Sequence, residues 1–154
     1  VARAHERDAA IRGLVAGGGP GLDRVRAAAA GTPVAVLGER SDVEDVIAAA
    51  DVLCLTSSAE ALPMVVLESL ALGRPVVSTD VGGVPDAVGD AGVILPVDDG
   101  SSLTDALVTL AGDPAAVEAM GRAARSRYES RFSAEQMAGR YHRLMLELLD
   151  GVRT

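Results

Sequence analysis

Two glutamates carry the first chemical signal in this chain. Glu60 and Glu68 are separated by seven residues in the stretch 57–83, SSAEALPMVVLESLALGRPVVSTDVGG. Pro63 suits the first turn of a helix and Gly73 its C-terminal stop, with a strand expected before the run at 52–55 and another after it at 75–78. Glu60 then falls in a strand-to-helix loop and Glu68 in the second turn of the helix. Five residues past Pro63 is about 7.5 Å along a helix axis. Carboxylates held that far apart suit two hydrogen-bond acceptors reading separated hydroxyls on one long ligand, rather than a metal pair or a dyad sharing a proton. Such a spacing is also common on solvated helix faces. Here, however, Val65, Val66, Leu67, Leu70, Ala71 and Leu72 make the helix apolar almost all round, which predicts burial. A carboxylate in such a helix is costly unless it is paired or faces a polar cleft.

The elements that must position these residues alternate along the chain. A helical tail at 1–7 precedes a strand at 11–16, IRGLVA, which runs into Gly17-Gly18-Gly19-Pro20-Gly21 and a helix at 22–30. Strand, glycine loop, helix is a unit that cradles phosphates or nucleosides, although the dinucleotide fingerprint is not met. A second strand at 32–37 ends at Gly38-Glu39-Arg40, and Ser41 with Glu44 reads as a capping box for a helix running to residue 50. A short fifth strand is expected at 93–95. This alternation predicts an α/β fold, a doubly wound parallel sheet in three layers, with near-continuous apolar strands buried on both faces. Ligands in such sheets bind beyond the carboxyl ends of the strands. The glycine loop, Gly38 to Arg40, Ser57 to Glu60 and Ser78 to Gly83 all follow strands, so all four are expected along one edge.

The remaining polar features read as structure. Asp98-Asp99 and Asp113-Pro114 suit turns and N-caps of helices, not metal ligation. Apolar stripes at helical spacing, Val117, Met120, Ala124, Tyr128 and then Met137, Tyr141, Leu144, Met145, Leu148, are expected to be core, with Ser133 and Gln136 as a second capping box. His5 and His142 lack partners at ligand or triad spacing. Cys54 excludes an internal disulfide, and in VLCLT it reads as a buried apolar filler in a cytoplasmic protein.

Composition narrows the function. The 154 residues suit one domain, and a net charge of −8 with one Phe, two Tyr and no Trp argues against nucleic-acid binding. No apolar run is long enough for a membrane span. All 14 basic residues are arginine.

The stretch around the glutamates resembles the retaining glycosyltransferases of the GT-B type, the "group 1" or family 4 type with the E-x7-E pattern. The resemblance rests on Ser57-x-x-Glu60, Pro63, Glu68, Gly73-x-Pro75-Val76-Val77, Gly82-Gly83 and Val88, with the glycine loop and Phe132-Ser133 and Tyr141 in keeping. Ala61 stands where that family usually has Gly, and Asp86 where Glu is usual. The resemblance implies a Rossmann-like C-terminal, donor-binding half of a GT-B enzyme, spanning residues 1–154 as a single nucleotide-sugar-binding domain. Glu60 would face the donor sugar as the catalytic residue and Glu68 would hold the ribose hydroxyls. Gly17, Gly18, Gly19, Gly38, Glu39, Arg40, Ala61, Leu62, Pro63 and Met64 would line the donor. No cofactor or metal is implied, in keeping with the lack of any Asp-x-Asp triplet. Partners would be the nucleotide-sugar and an N-terminal acceptor domain, with a peripheral membrane setting open to the intact enzyme.

That family also places an Arg and a Lys on a first strand-loop-helix that neutralises the departing diphosphate. With no lysine present, the domain is expected to be truncated at its N-terminal edge, inactive by itself and prone to self-association there. A stand-alone nucleotide-binding or interaction module and a GT-B-type sugar-nucleotide epimerase domain are the alternatives.

Overall fold

The structure, a computed structural model, describes residues 1–151. In chain order it runs α1 (Ala2–Arg7), β1 (Gly13–Ala16), α2 (Leu22–Ala29), β2 (Val34–Gly38), α3 (Val43–Ala49), β3 (Leu53–Leu55), α4 (Met64–Ala71), β4 (Val76–Thr79), α5 (Val84–Val88), β5 (Gly92–Leu95), α6 (Gly100–Ala111), α7 (Pro114–Arg127) and α8 (Ala134–Gly151). A 3₁₀ turn, Gly89–Ala91, enters β5, and a π-helical turn, Tyr128–Phe132, joins α7 to α8.

Every strand pairing is parallel, as the alternation of strands and helices requires, and the helices flank the sheets. The pairing is not continuous. β1 pairs with β2, while β3, β4 and β5 form a separate sheet in that order. The expected burial of every strand on both faces holds for β4 alone. All four of its residues are buried, whereas Leu14, Val15 and Ala16 of β1 are exposed. β4 has a hydrogen-bonded neighbour on each side, but β1, β2, β3 and β5 each leave one edge without a strand among the described residues. Cys54, on β3, is exposed rather than the buried filler expected. The protein around it still disfavours a thiolate, and desolvation pushes the thiol up to about 11.

The core is divided by β4. Val76 belongs to a cluster with Val66, Leu70, Val84, Val88 and Ala124, drawn from α4, α5 and α7. Its neighbour Val77 points the other way, into a cluster with Leu95 and Leu110 onto which Leu103, Val117 and Met120 pack. The α7 stripe is therefore core, as expected. The α8 stripe is not: Met137, Tyr141, Leu144, Met145 and Leu148 are 50 to 61% exposed, because α8 packs chiefly on the π-helical turn and leaves the body of the domain.

Helix ends follow local chemistry. Gly73 takes φ +65°, and its N–H donates to the Leu70 carbonyl at 3.0 Å while Arg74 N–H donates to that of Ser69 at 2.9 Å. This left-handed stop releases the chain from α4 into β4. Ser41 and Glu44 do not form the expected capping box. Asp42 occupies the N-cap of α3 without a side-chain bond to it, because its carboxylate is bound by Arg40. Ser133 caps α8 from one side, its hydroxyl accepting the Gln136 N–H at 3.3 Å. His5 is locally bonded, its Nδ1 lying 2.8 Å from the Ile11 carbonyl. That turn delays β1 to Gly13, and β2 waits until after Pro33.

Asp113 accepts the Ala116 N–H at 3.0 Å, and Asp99 accepts both Ser101 and Ser102 N–H groups at the start of α6. The Ser102 hydroxyl, then its amide, with the Ser101 hydroxyl and amide in support, hold the Asp99 carboxyl down to about 2. Its native pKa lies below the unfolded value of about 3.9, so its stabilisation is present above that value and fades as pH falls toward the native one. Asp99→Ala is expected to lower the thermal midpoint at neutral pH. The gap to the parent should narrow as pH drops from about 4 to about 2, which calorimetry across that range would show.

Candidate functional site

The carboxyl ends of the parallel strands gather most of the residues singled out above. Glu60 lies in the β3–α4 loop, half-buried, and its Oε1 accepts the Ser57 hydroxyl at 2.8 Å. Ser57 is itself tied down, since its carbonyl accepts the Thr79 hydroxyl from the end of β4 at 2.6 Å. The side chain that orients the carboxylate is thus anchored to the most buried strand of the domain.

The backbone of the same loop rests on the glycines after β4. Gly83 N–H donates to the Ala61 carbonyl at 2.6 Å. Gly82 has φ +52°, and a methyl group on it would stand 2.0 Å from the Glu60 carbonyl and 2.7 Å from that of Ala61. No side chain fits between the two loops, so glycine there is a condition of the Glu60 backbone position. The roles of Ser57, Thr79, Gly82 and Gly83 were not readable as such. The Ser-x-x-Glu spacing and the glycine pair are the sequence signals that mark them, but their mutual contact exists only once β3 and β4 are side by side.

Glu68 lies on α4, half-buried, and borders a cleft of about 410 Å³ together with Ser41, Asp42, Val43, Glu44 and Asp45 at the start of α3. The cleft is polar and strongly acidic, which agrees with the expectation that a carboxylate in an apolar helix must face a polar recess. Arg40 beside it is committed to Asp42, through Nε at 2.7 Å and through Nη2. That pairing raises the Arg40 pKa and lowers that of Asp42. Arg40 therefore behaves as a loop arginine in an ion pair.

The glycine loop meets the end of β2. Gly17 N–H donates to the Gly38 carbonyl at 2.8 Å, and a methyl on Gly18 would touch the Glu39 side chain at 3.5 Å. Gly17 and Gly19 take φ +139° and +108°, and no atom lies within 4 Å of where their side chains would be. The loop presents bare backbone to an open space. Ala61, Leu62 and Met64 are exposed and Pro63 half-buried around the start of α4, whose first turn has no side-chain cap. Three groupings result: Gly17 and Gly18 with Gly38 and Glu39, Ser57 to Ala61 with Thr79 to Gly83, and Glu68 with the start of α3. Asp86, the acidic residue after Gly82-Gly83, is instead paired to Arg131 at 3.0 Å. Among the described residues, no group of three or more His, Cys, Asp or Glu side chains gathers as a metal site. No helix of the described chain is long and apolar enough to cross a membrane.

A parallel α/β domain with glycine loops at the carboxyl ends of its strands defines one fold class, the Rossmann-like type. The particular family follows from direct comparison. The family model described as "Glycosyl transferases group 1" matches residues 1–113, and the chain belongs to that family, with the GT-B fold. Among curated relatives it is 30% identical over 118 residues to the N-acetyl-alpha-D-glucosaminyl L-malate synthase of Bacillus anthracis, covering 75% of this chain and 31% of that protein. It is 40% identical over 87 residues to the D-inositol 3-phosphate glycosyltransferase of Kribbella flavida, covering 55% and 20%. The chain thus spans about a third or less of the length of these relatives. Of solved structures, it is similar to Anabaena HepE in complex with UDP, with a TM-score of 0.80 at 21% identity over 89% of this chain and 41% of that one. Sucrose-phosphate synthase of Thermosynechococcus elongatus gives 0.79 at 25% identity over 90% and 38%.

Replacing Gly82 with alanine is expected to cost more than about 1 kcal/mol of stability and to move the Glu60 loop. Ser57→Ala, which leaves the backbone contacts in place, should cost about 1 kcal/mol or less. Paired thermal melts, with amide spectra of residues 57–62, would separate the two effects.

Proposed function

We propose that this domain binds the nucleotide-sugar donor of a retaining glycosyltransferase and that its donor is a UDP-sugar. The observation that carries the reading is the Glu60 loop. A half-buried carboxylate is oriented by Ser57, while its backbone is pinned by Gly82 and Gly83 at the carboxyl edge of a parallel sheet. Family membership supports it, and so does the likeness to HepE, which was solved with UDP and with UDP-glucose. In this reading Glu60 receives hydroxyls of the donor sugar, and Glu68, in its polar cleft, receives those of the ribose. The open glycine backbone at Gly17 to Gly19, with Gly38 and Glu39, lies along the nucleoside. The exposed amides at Met64 and Val65, at the uncapped start of α4, face the diphosphate.

The reaction served is transfer of a glycosyl group with retention at the anomeric carbon. The bond from that carbon to the diphosphate oxygen breaks, a bond to an acceptor hydroxyl oxygen forms, and the acceptor proton passes to the departing diphosphate. The acceptor site belongs to a second domain in this reading, which the lengths of the relatives favour. The separation of the β1–β2 pair from the sheet of β3, β4 and β5 supports the further proposal that a parallel strand between the two completes one sheet and brings the cationic groups that neutralise the leaving diphosphate. Without it the strand edges are open to self-association. A cytoplasmic setting, peripheral at a membrane or not, goes with a nucleotide-sugar donor.

Titration calorimetry of this chain with UDP, GDP and ADP tests the reading. UDP is expected to bind weakly and in preference to the others, and Glu68→Ala to weaken it by about tenfold or more through loss of charge-assisted hydrogen bonds. Binding of none of the three would overturn the donor-domain reading for this chain. UDP binding untouched by Glu68→Ala would overturn the ribose assignment alone.

A further inference from the structure

The Glu60 loop leans on α5, a helix of only five residues with a glycine at each end. At its start Gly83 donates its N–H to the Ala61 carbonyl at 2.6 Å, and Gly82 leaves room for the Glu60 carbonyl to pass. Gly82 at φ +52° and Gly89 at φ +51° turn the chain before and after the helix. Glycine supplies little stiffness, so the flanking chain does not fix where α5 stands. Val84, Ala87 and Val88 bury its apolar side in the core, but apolar burial carries no direction of its own. The directional bonds come from α7. Arg127 Nε donates to the Ala87 carbonyl at 2.9 Å, Nη2 donates to the Asp86 carbonyl at 2.6 Å, and Nη1 lies 3.3 Å from an Asp90 carboxylate oxygen. The side chain is only 21% exposed, and a methyl on Gly89 would stand 2.5 Å from its central guanidinium carbon. The fork therefore fills the space that glycine leaves and grips the last carbonyls of α5 in a fixed geometry. Arg131, by contrast, reaches mainly the exposed Asp86 carboxylate at 3.0 Å, a surface pair.

From these contacts at the two ends of α5 we infer that Arg127 is a positioning residue for Glu60. It acts through α5, which is about 7.5 Å long at the helical rise and moves as one piece. A shift of its last turn is delivered at Gly82 and Gly83, where the crossing with the Glu60 and Ala61 carbonyls leaves no room to absorb it. The Glu60 backbone must then follow, and with it the carboxylate that Ser57 orients. Glu68 stands on α4, outside this line of hydrogen bonds, so the clamp sets the sugar end of the donor site and not the ribose end. What Glu60 touches rests on the donor reading above; the mechanical coupling of Arg127 to the loop does not.

Amide hydrogen exchange of the ligand-free chain, followed by NMR, tests the coupling. In Arg127→Met the Gly83 amide is expected to exchange at least about tenfold faster, measured against the amides of β4, and the Glu60 and Ala61 resonances to shift. Arg127→Lys keeps the charge without the fork and should fall between that variant and the parent, which serves if the methionine variant does not fold. Arg131→Met should leave the Gly83 rate within about twofold of the parent. A merely structural role would speed Gly83 and β4 alike, or confine the shifts to α5 and α7, and either result overturns the inference. Titration with UDP and UDP-glucose tests the consequence. Affinity for UDP-glucose relative to UDP should fall by about threefold or more in Arg127→Met, with UDP binding itself changed by less than about twofold. An unchanged ratio beside a loosened loop overturns the positioning role. A parent chain that binds no UDP fails the donor reading and takes this role with it, while the ligand-free exchange still reports the coupling, so the two failures are told apart.

Discussion

Burial of β4 on both faces is the constraint that the rest of the domain obeys. Val76 and Val77 point to opposite sides of the sheet, and each is completely enclosed. A parallel strand in that position needs a hydrogen-bonded neighbour along each edge and helices over each face. β3 and β5 supply the edges. Helices α4, α5 and α7 cover the Val76 face, while α6 and the first half of α7 cover the other. Because α7 contributes to both clusters, it closes the sheet at one end, and Arg127 secures that closure through the Ala87 and Asp86 carbonyls at the end of α5. Removing the apolar content of β4 would dissolve both layers together.

The candidate site inherits its rigidity from that strand. Thr79, its last residue, holds the Ser57 carbonyl, Gly83 beyond it donates its N–H to the Ala61 carbonyl, and Gly82 leaves room for the Glu60 carbonyl to pass. Two loops that follow neighbouring strands are thereby locked together by one hydroxyl and by a backbone crossing that only glycine permits. A donor site needs this arrangement. Acceptor groups must be fixed before the ligand arrives, because ordering a mobile loop on binding would consume much of the binding energy. By contrast the Gly17–Gly21 loop is tied to β2 through the Gly17 N–H and to the start of α2 through the Gly19 and Gly21 carbonyls, and between those ties it is bare backbone open to a ligand.

The two halves of the chain differ in how completely they are covered. The sheet of β3, β4 and β5 has a closed core, while β1 and β2 expose much of their apolar surface and α8 exposes a whole seam. These surfaces lie at the unpaired strand edges and along the last helix. Open strand edges invite further strands.

Much of this was legible without coordinates. The alternation of apolar runs with helical stretches is a local property and settled the parallel α/β class. Pro63 and Gly73 marked α4 because proline and glycine act through their own backbone dihedrals, and Asp99 and Asp113 marked N-caps because a cap reaches only two or three residues along the chain. The apolar residues around Glu68 in one helix called for either a charged partner or a polar recess, and the fold supplies the recess. Tertiary structure decided what depends on neighbours distant in the chain. Cys54 and the strand β1 read as buried, since apolar strands usually are, but burial requires a strand alongside, and no local pattern reveals its absence. The α8 stripe is indistinguishable in sequence from that of α7; only the turn at Tyr128–Phe132 directs one into the core and the other away from it. The Ser41–Glu44 box failed because Asp42 and Arg40 offered each other a stronger, charged bond. Above all, the contact of Gly82 with Glu60 joins residues 22 positions apart, and it exists because parallel pairing of β3 with β4 carries both loops to the same edge.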